Sequence, residues 1–340
     1  MPSPNDNHAP PGRVLICANP YSGAGPNRRY VQGLVRALRK RALEAVVVWD
    51  ADERCAMLSD PGLPAGYRCV VVAGGDGSIH AVVNELARAG HLERQPSRPT
   101  LTFATLPMGN ENLFASCFGF TRDVQLLAHH ISEGETIPMD LGVVEYPVDA
   151  HERAEGSETK TDRFTLMVGA GFDAEVVHRV ARWRQAGERL RRIRRASYVR
   201  HILAGVSAYA GRRFEVSIDG RSAAGTSLFV FNLSAYGGGL KIAPPGCSAE
   251  DGRLDYVLFD QPGRRALVAS AWSVLRARHL ARSDVVYGQA SSIEVRGFAD
   301  QAGSDARQLP LQADGDPAGF APVRIGIDQI CKLPVIRVAG

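Results

Sequence analysis

Residues 70–80 constrain the fold of this chain more than any other stretch. Val70-Val71-Val72-Ala73 runs straight into Gly74-Gly75-Asp76-Gly77-Ser78, after which Ile79, Val82, Val83, Leu86 and Ala87 recur at helical spacing. A short apolar run with no polar alternation reads as a buried strand. A strand feeding a glycine turn and a helix start brings bare backbone N–H groups and a positive helix end together, which suits a phosphate. Asp76 is the difficulty, because a carboxylate beside phosphates is repelled unless a cation lies between them or it handles a proton. The plainer reading is a tight turn with Asp or Ser capping the helix. On this stretch alone the two readings weigh equally.

The same grammar repeats along the first half. Val14-Leu15-Ile16-Cys17-Ala18 is a strand ending in Asn19-Pro20-Tyr21-Ser22-Gly23-Ala24-Gly25, and a helix over 27–41 carries Tyr30, Val31, Leu34, Val35 and Leu38 on one face. Further strands are predicted at 45–49, 69–73 and 101–106, the last running into Pro107-Met108-Gly109-Asn110-Glu111-Asn112. Strand–helix alternation with continuous apolar strands means a parallel sheet with crossover helices. Ligands of such sheets bind at the carboxyl ends of the strands, where all three glycine-bearing loops fall. Helices over 110–119 and 123–132 complete this part.

The character changes near Thr136. Short strands dominate, at 137–144, 163–168, 214–218, 227–233, 254–259, 292–295 and 323–327, punctuated by Asp219-Gly220 and Asp314-Gly315 turns. This is an antiparallel β domain of sandwich type, with helices over 174–184, 192–210 and 264–281 and polar insertions at 146–162 and 297–308. The division expected is a polar, proline-rich tail over 1–12, an α/β domain over 13–136 and a β-sandwich domain over 137–327. The segment 328–340 is apolar enough to dock at a place the local pattern does not specify.

Within the second half, Tyr236-Gly237-Gly238-Gly239-Leu240-Lys241 is either a ligand-approaching glycine run or a loop between strands. Glu250-Asp251-Gly252-Arg253-Leu254-Asp255 is either a hard-cation site or a turn. Gln312-Ala313-Asp314-Gly315-Asp316 is either a hairpin aiming a carboxylate into a cleft or simply a hairpin.

Apolar residues make up 45% and charged residues 22% of the 340, and the net charge is +4, all ordinary for a globular protein. No apolar run approaches the roughly 20 residues that span a bilayer, and no leader is recognisable at the start. Six scattered cysteines without a C-x-x-C pair read as free thiols in a reducing compartment. A cytoplasmic protein, peripheral at the inner face of a membrane, is expected. Nine arginines against one carboxylate, Glu188, crowd residues Arg179 to Arg200, with Trp183, Leu190, Ile193 and Tyr198 interleaved. That segment reads either as an element for an anionic membrane surface or as a solvated arginine-rich face. No matching basic surface signature elsewhere points to nucleic acid. The oligomeric state is open between monomer and homodimer.

Taken together, these motifs resemble the diacylglycerol kinase catalytic-domain superfamily, in particular the soluble bacterial lipid kinases, with sphingosine and ceramide kinases more distant. The resemblance runs from about Arg13 to Val338. It is carried by Asn19-Pro20-x-Ser22-Gly23, Gly74-Gly75-Asp76-Gly77-Ser78 and Pro107-x-Gly109-x-x-Asn112. It continues through Met139-Asp140-Leu141-Gly142, Gly171-Phe172-Asp173-Ala174, Gly237-Gly238-Gly239, Asp251-Gly252-x-Leu254-Asp255 and Asp314-Gly315-Asp316. The family implies an α/β nucleotide domain, a β-sandwich domain and an active site in the cleft between them. It implies that Asn19, Ser22, Gly23, Gly74, Gly75, Asp76, Gly77, Ser78 and Asn110 hold ATP, with Asp76 organising the Mg²⁺–triphosphate. It implies Asp316 as the base for the lipid hydroxyl, and a structural Mg²⁺ on Asp251 helped by the carbonyls of Ser248 and Arg253.

The sequence departs from the family pattern at several places. Ser78 and Asn110 stand where Thr is usual, His80-Ala81 replaces Asn-Glu, and Leu113 replaces a frequent Asp. Asp316 replaces the commoner Glu, so its carboxylate reaches one methylene less far and Asp76 shares the claim to the base role. The activity implied is transfer of the γ-phosphoryl group of ATP to a hydroxyl of diacylglycerol, a ceramide or a sphingoid base. The rivals are an NAD kinase-like phosphotransferase, which shares Gly-Gly-Asp-Gly, and a non-catalytic nucleotide- or lipid-binding module.

Overall fold

The computed structural model of the chain describes residues 12–23, 27–93, 101–147, 160–185, 212–260, 262–298 and 308–338. The chain forms two compact units, Met1–Met139 with Gln329–Gly340, and Asp140–Asp328.

In the first unit, strands β1 (Arg13–Ala18), β2 (Glu44–Val48), β3 (Cys69–Gly74) and β4 (Thr102–Pro107) pair in parallel in the order β2-β1-β3-β4. The register sets Ile16 beside Val71 and Val71 beside Ala104, so the three strands that carry glycine loops end level with one another. Every residue of β3 is buried, as its unbroken apolar pattern requires. Helix α1 (Asn27–Arg39) buries Val31, Leu34, Ala37 and Leu38 on one stripe and turns its arginines outward. Asp50 caps α2 (Ala51–Leu58), its carboxylate accepting from the Asp52 and Glu53 N–H groups, and a short α3 (Leu63–Gly66) precedes β3. Helix α4 (Asp76–Arg88) follows β3 directly. A short α5 (Leu113–Cys117) and α6 (Val124–Glu133), capped by Asp123, follow β4.

The chain passes to the second unit within β5 (Thr136–Tyr146). There β6 (Lys160–Phe164), β8 (Phe214–Ile218), β9 (Arg221–Gly225), β13 (Ser292–Phe298) and the first part of β16 (Val323–Ile336) build one antiparallel layer. A second layer of six strands runs β12 (Val285–Ala290), β11 (Leu254–Phe259), β10 (Ser227–Phe231), β7 (Met167–Gly171), β14 (Pro310–Ala313), β15 (Asp316–Phe320). Inward side chains of the two layers, such as Phe214, Val216, Ile293 and Ile325 from one and Val168, Leu228, Val230 and Leu311 from the other, make one apolar core. Helix α7 (Phe172–Gln185) follows β7, and α8 (Arg264–Leu275) lies between β11 and β12.

Several elements differ from the sequence expectation. The single strand expected at 163–168 is two strands, β6 and β7, separated at Thr165 and Leu166. Strands β9, β12, β14 and β15 were not predicted as strands; β9, β12 and β15 are each the last strand of their layer's pairing order with one partner, whereas β14 lies between β7 and β15. The C-terminal segment continues β16, returns to the first unit and pairs there in parallel with β4 through Val335 and Phe103. The helix expected over 192–210, and residues 186–200 of the arginine-rich segment, lie outside the described residues. At the described start of that segment, Arg179 and Arg182 both pair with Glu175. All six cysteines are free thiols, and among the described residues no helix is long and apolar enough to cross a membrane.

Candidate functional site

The three glycine loops of the first unit are bonded into one surface. At the end of β1 the Asn19 N–H donates to the Ala73 carbonyl of β3 at 3.0 Å. The Asn19 side chain then bridges the loops: its Oδ1 accepts from the Tyr21 N–H at 2.9 Å and its Nδ2 donates to Ser78 Oγ at 3.0 Å. Buried Asn27, at the start of α1, donates to the Ser22 carbonyl at 2.6 Å. From the third loop, the Met108 N–H donates to the Gly74 carbonyl at 2.8 Å.

The approach of these backbones leaves no room for side chains. A Cβ on Gly23 would lie 2.1 Å from the Met108 carbonyl oxygen, and Gly23 has φ of +62°, where L-residues are strained. A Cβ on Gly109 would lie 2.6 Å from the Gly75 Cα. Gly23→Ala is therefore expected to destabilise the first unit by roughly 2–4 kcal/mol, from overpacking plus backbone strain. The check is denaturant unfolding beside Gly66→Ala, a helix position with open space around it that should change stability little.

Asp76 does something that local reading missed. Neither it nor Ser78 caps α4; the cap position is Gly75, with no side-chain bond. The Asp76 carboxylate instead accepts from the Leu113 N–H at 3.1 Å and the Phe114 N–H at 3.0 Å, so it caps α5, across 37 and 38 positions of chain. Asn112, in the left-handed region, closes the 109–112 loop on itself, accepting from the Gly109 N–H at 2.7 Å and donating back to the Gly109 carbonyl at 2.9 Å. Helical bonding in α4 begins with the Ser78 and Ile79 N–H groups, both reaching the Gly75 carbonyl. The turn from Gly75 to Gly77 thus lies where a helix leaves its N–H groups for an outside acceptor. Asn110 is exposed on the 109–112 loop. Asn27 and Asn112 hold these loops in place, and neither was assigned a role from sequence; an Asn beside glycines, tolerant of the left-handed region, is the signal at 112.

In the second unit Asp316 is the first residue of β15 and half-buried. It follows a two-residue turn in which Asp314 and Gly315 both have positive φ, the hairpin geometry that Asp-Gly favours. The turn is fastened twice. The buried Asp314 carboxylate accepts from the Thr165 N–H and Oγ1, the Leu166 N–H and the Met167 N–H, at 2.8–3.0 Å. The Gly315 N–H donates to Gln312 Oε1 at 2.9 Å, and Gln312 Nε2 donates to the buried Asp173 carboxylate at 2.8 Å. The Tyr236 hydroxyl donates to the other Asp173 oxygen. Burial pushes the Asp173 carboxyl above the usual range, and these two donors oppose the shift.

Asp251 lies on the turn before β11, with Oδ1 accepting from the Arg253 N–H at 3.0 Å and Oδ2 from Gln289 Nε2 at 2.9 Å. Asp140, fully buried, anchors that turn by accepting from the Gly252 N–H at 2.8 Å, while its own N–H donates to the Ala249 carbonyl at 2.7 Å. Nearby Asp255 is buried, and its Oδ2 has no hydrogen-bond partner among the described residues. Burial is the main cause that pushes its carboxyl up; hydrogen bonding from Cys247 and Gln289 opposes the shift, and the Asp251 charge adds to it. An unpartnered carboxylate oxygen beside a second carboxylate fits a hard cation. Among the described residues no three His, Cys, Asp or Glu side chains gather as a metal site, so backbone carbonyls such as those of Ser248 and Arg253 would have to complete it.

Two family models match the chain. The one described as the diacylglycerol kinase catalytic domain matches residues 13–144, and the one described as the YegS C-terminal NAD kinase beta sandwich-like domain matches residues 166–336. A diacylglycerol kinase of Mycobacterium tuberculosis (strain H37Rv) is 26% identical over 321 residues, covering 92% of this chain and 95% of that protein. One from Bacillus subtilis (strain 168) is 25% identical over 261 residues, covering 75% and 73%. The crystal structure of a diacylglycerol kinase from Bacillus anthracis str. Sterne aligns over 96% of this chain and 97% of that one, with a TM-score of 0.60 at 16% identity. At that identity the likeness is one of fold.

Proposed function

The chain belongs to the diacylglycerol kinase catalytic-domain family, and on that premise we propose that this kinase moves the γ-phosphoryl group of ATP, with Mg²⁺, to a hydroxyl of diacylglycerol, a ceramide or a sphingoid base. The observation that carries the nucleotide side is the bonded surface of three loops at the level ends of β1, β3 and β4. Phosphoryl transfer asks mainly for positioning and charge neutralisation, with a base for the attacking hydroxyl.

In this reading Asn19 and Ser78, joined to each other, and Ser22, Gly23, Gly74, Gly75, Gly77 and Asn110 contact the nucleotide. The α4 start receives its phosphates. Asp76 has two tasks: its carboxylate fixes the Asn110 loop through α5, and its charge serves the metal–nucleotide. Mg²⁺, when bound, offsets the triphosphate's negative charge; a second, structural ion would be held by Asp251 with the Ser248 and Arg253 carbonyls. Asp316 takes the proton of the lipid hydroxyl as it attacks, and the Asp314–Gly315 fastening fixes where that carboxylate starts. The Arg179–Arg200 segment remains part of the proposal as a contact for anionic lipid, at a cytoplasmic membrane face.

The direct test is purified protein with γ-labelled ATP and a panel of these lipids in mixed micelles, with NAD as a competing acceptor. Phosphorylated lipid supports the reading; phosphorylation of NAD alone replaces it with the NAD kinase-like one. Asp316→Asn is expected to bind ATP as before and to lose transfer by about 10²-fold or more. An unchanged rate moves the base role to Asp76.

A further inference from the structure

Helix α8 turns much of its apolar surface outward. Its half-buried and buried positions are Ala266, Leu267, Ser270, Ser273 and Val274, three of them small or polar, while Val268 is 56%, Trp272 56% and Leu275 64% exposed. At about 100° per residue these three large apolar side chains fall within roughly 60° of arc, opposite Ser270. A soluble helix ordinarily places such a stripe against its own core. The stretch of chain that carries the helix is basic: residues 262–283 hold five arginines and no Asp or Glu, and the carboxylates just outside it, Asp260 and Asp284, are paired with Arg213 and Arg282. Arg282 is taken by Asp284 at 2.7 Å. Arg265, Arg276 and Arg278 are exposed, and the Arg276 guanidinium stands 4.5 Å from the centre of the Trp272 ring.

From this we propose that α8 is a membrane-docking helix, which lays Val268, Trp272 and Leu275 into the interface of an anionic bilayer with its flanking arginines on the headgroups. The choice of occupant rests on the lipid-kinase reading, which requires the enzyme to meet its acceptor at a bilayer. It also rests on charge. A two-fold contact between copies would set this patch against itself, arginine facing arginine, whereas anionic headgroups complement it. An exposed Trp beside Arg suits the headgroup level, where one end of a ring is apolar and the other wet. In sequence, this helix is distinct from the Arg179–Arg200 segment.

The test is co-sedimentation of the full-length protein with vesicles of phosphatidylglycerol and phosphatidylcholine, and with phosphatidylcholine alone. The double variant Trp272→Ser, Leu275→Ser changes exposed positions only. Wild type is expected to bind the anionic vesicles, less so as salt rises, and the variant at least tenfold more weakly. Activity on a short-chain diacylglycerol dispersed as monomers should be the same in both. Equal vesicle binding by variant and wild type overturns the proposal. So does a stable wild-type dimer that the variant dissociates without any change in vesicle binding. If no lipid is phosphorylated yet the variant still loses vesicle binding, the kinase reading fails and the docking helix stands.

Discussion

Asp76→Ala is expected to abolish lipid phosphorylation, by about 10³-fold or more, while the protein keeps its secondary structure. Two losses combine. The carboxylate accepts from the N–H groups of Leu113 and Phe114, and bonds of that charged kind are worth about 1.5–3 kcal/mol each. Without them α5 loses its cap and the loop bearing Asn110 loses its anchor. The charge proposed to serve the metal–nucleotide is lost as well, which belongs to the class of electrostatic contribution worth roughly 10²–10³ alone. Asp76→Asn separates the two. Its amide oxygen can still accept one of the N–H groups, so a residue that only clamps loops should leave the Asn variant well above the Ala variant. Equal, near-complete loss in both, with wild-type circular dichroism, is the expected result. Near-full activity in the Asn variant would reduce Asp76 to a loop clamp.

The largest effect on stability is expected at Asp314. Its buried carboxylate serves four donors, three of them backbone N–H groups where the chain crosses from β6 to β7. Asp314→Ala leaves those donors without an acceptor in a region closed to solvent. Breaking a buried charged network of this kind costs about 3–5 kcal/mol. At about 2–4 °C per kcal/mol for a unit of this size, melting of the second unit should fall by on the order of 10 °C. Asp314→Asn should recover little, since its amide group would face N–H donors with donors of its own. A melting change within 2 °C or so for both variants would mean that the turn is held by the Gln312 bond and hairpin geometry instead. Because Asp316 follows the turn, the Ala variant is also expected to lose activity below its melting temperature.

How far the sequence could be read depends on how local each signal is. The strand at 254–259 coincides with β11, and the Asp-Gly pairs at 219–220 and 314–315 form the predicted hairpin turns. In each case the residues that decide the conformation are neighbours in sequence. The break at Thr165 is invisible locally, because the carboxylate that captures the 165–167 N–H groups lies 147 to 149 residues away. Strands β9, β12 and β15 escape for another reason. Each has a single partner, so little of its surface is buried and small or polar residues such as Arg221-Ser222-Ala223-Ala224 suffice. Helix α8 was legible as a helix but not as an outward-facing one, since periodicity gives a stripe and not its direction.

Residues 70–80 carry both lessons. By itself the sequence determined the strand, the glycine turn, the helix and the parallel sheet they imply, because backbone freedom and apolar spacing act over a few residues. It left Asp76 undecided between capping its own helix and serving a phosphate. The tertiary structure decided that the carboxylate caps a different helix, α5, since only folding brings the Leu113 and Phe114 N–H groups within 3.1 Å of it. Hydrogen bonds select by distance in space, and no spacing along the chain encodes that distance.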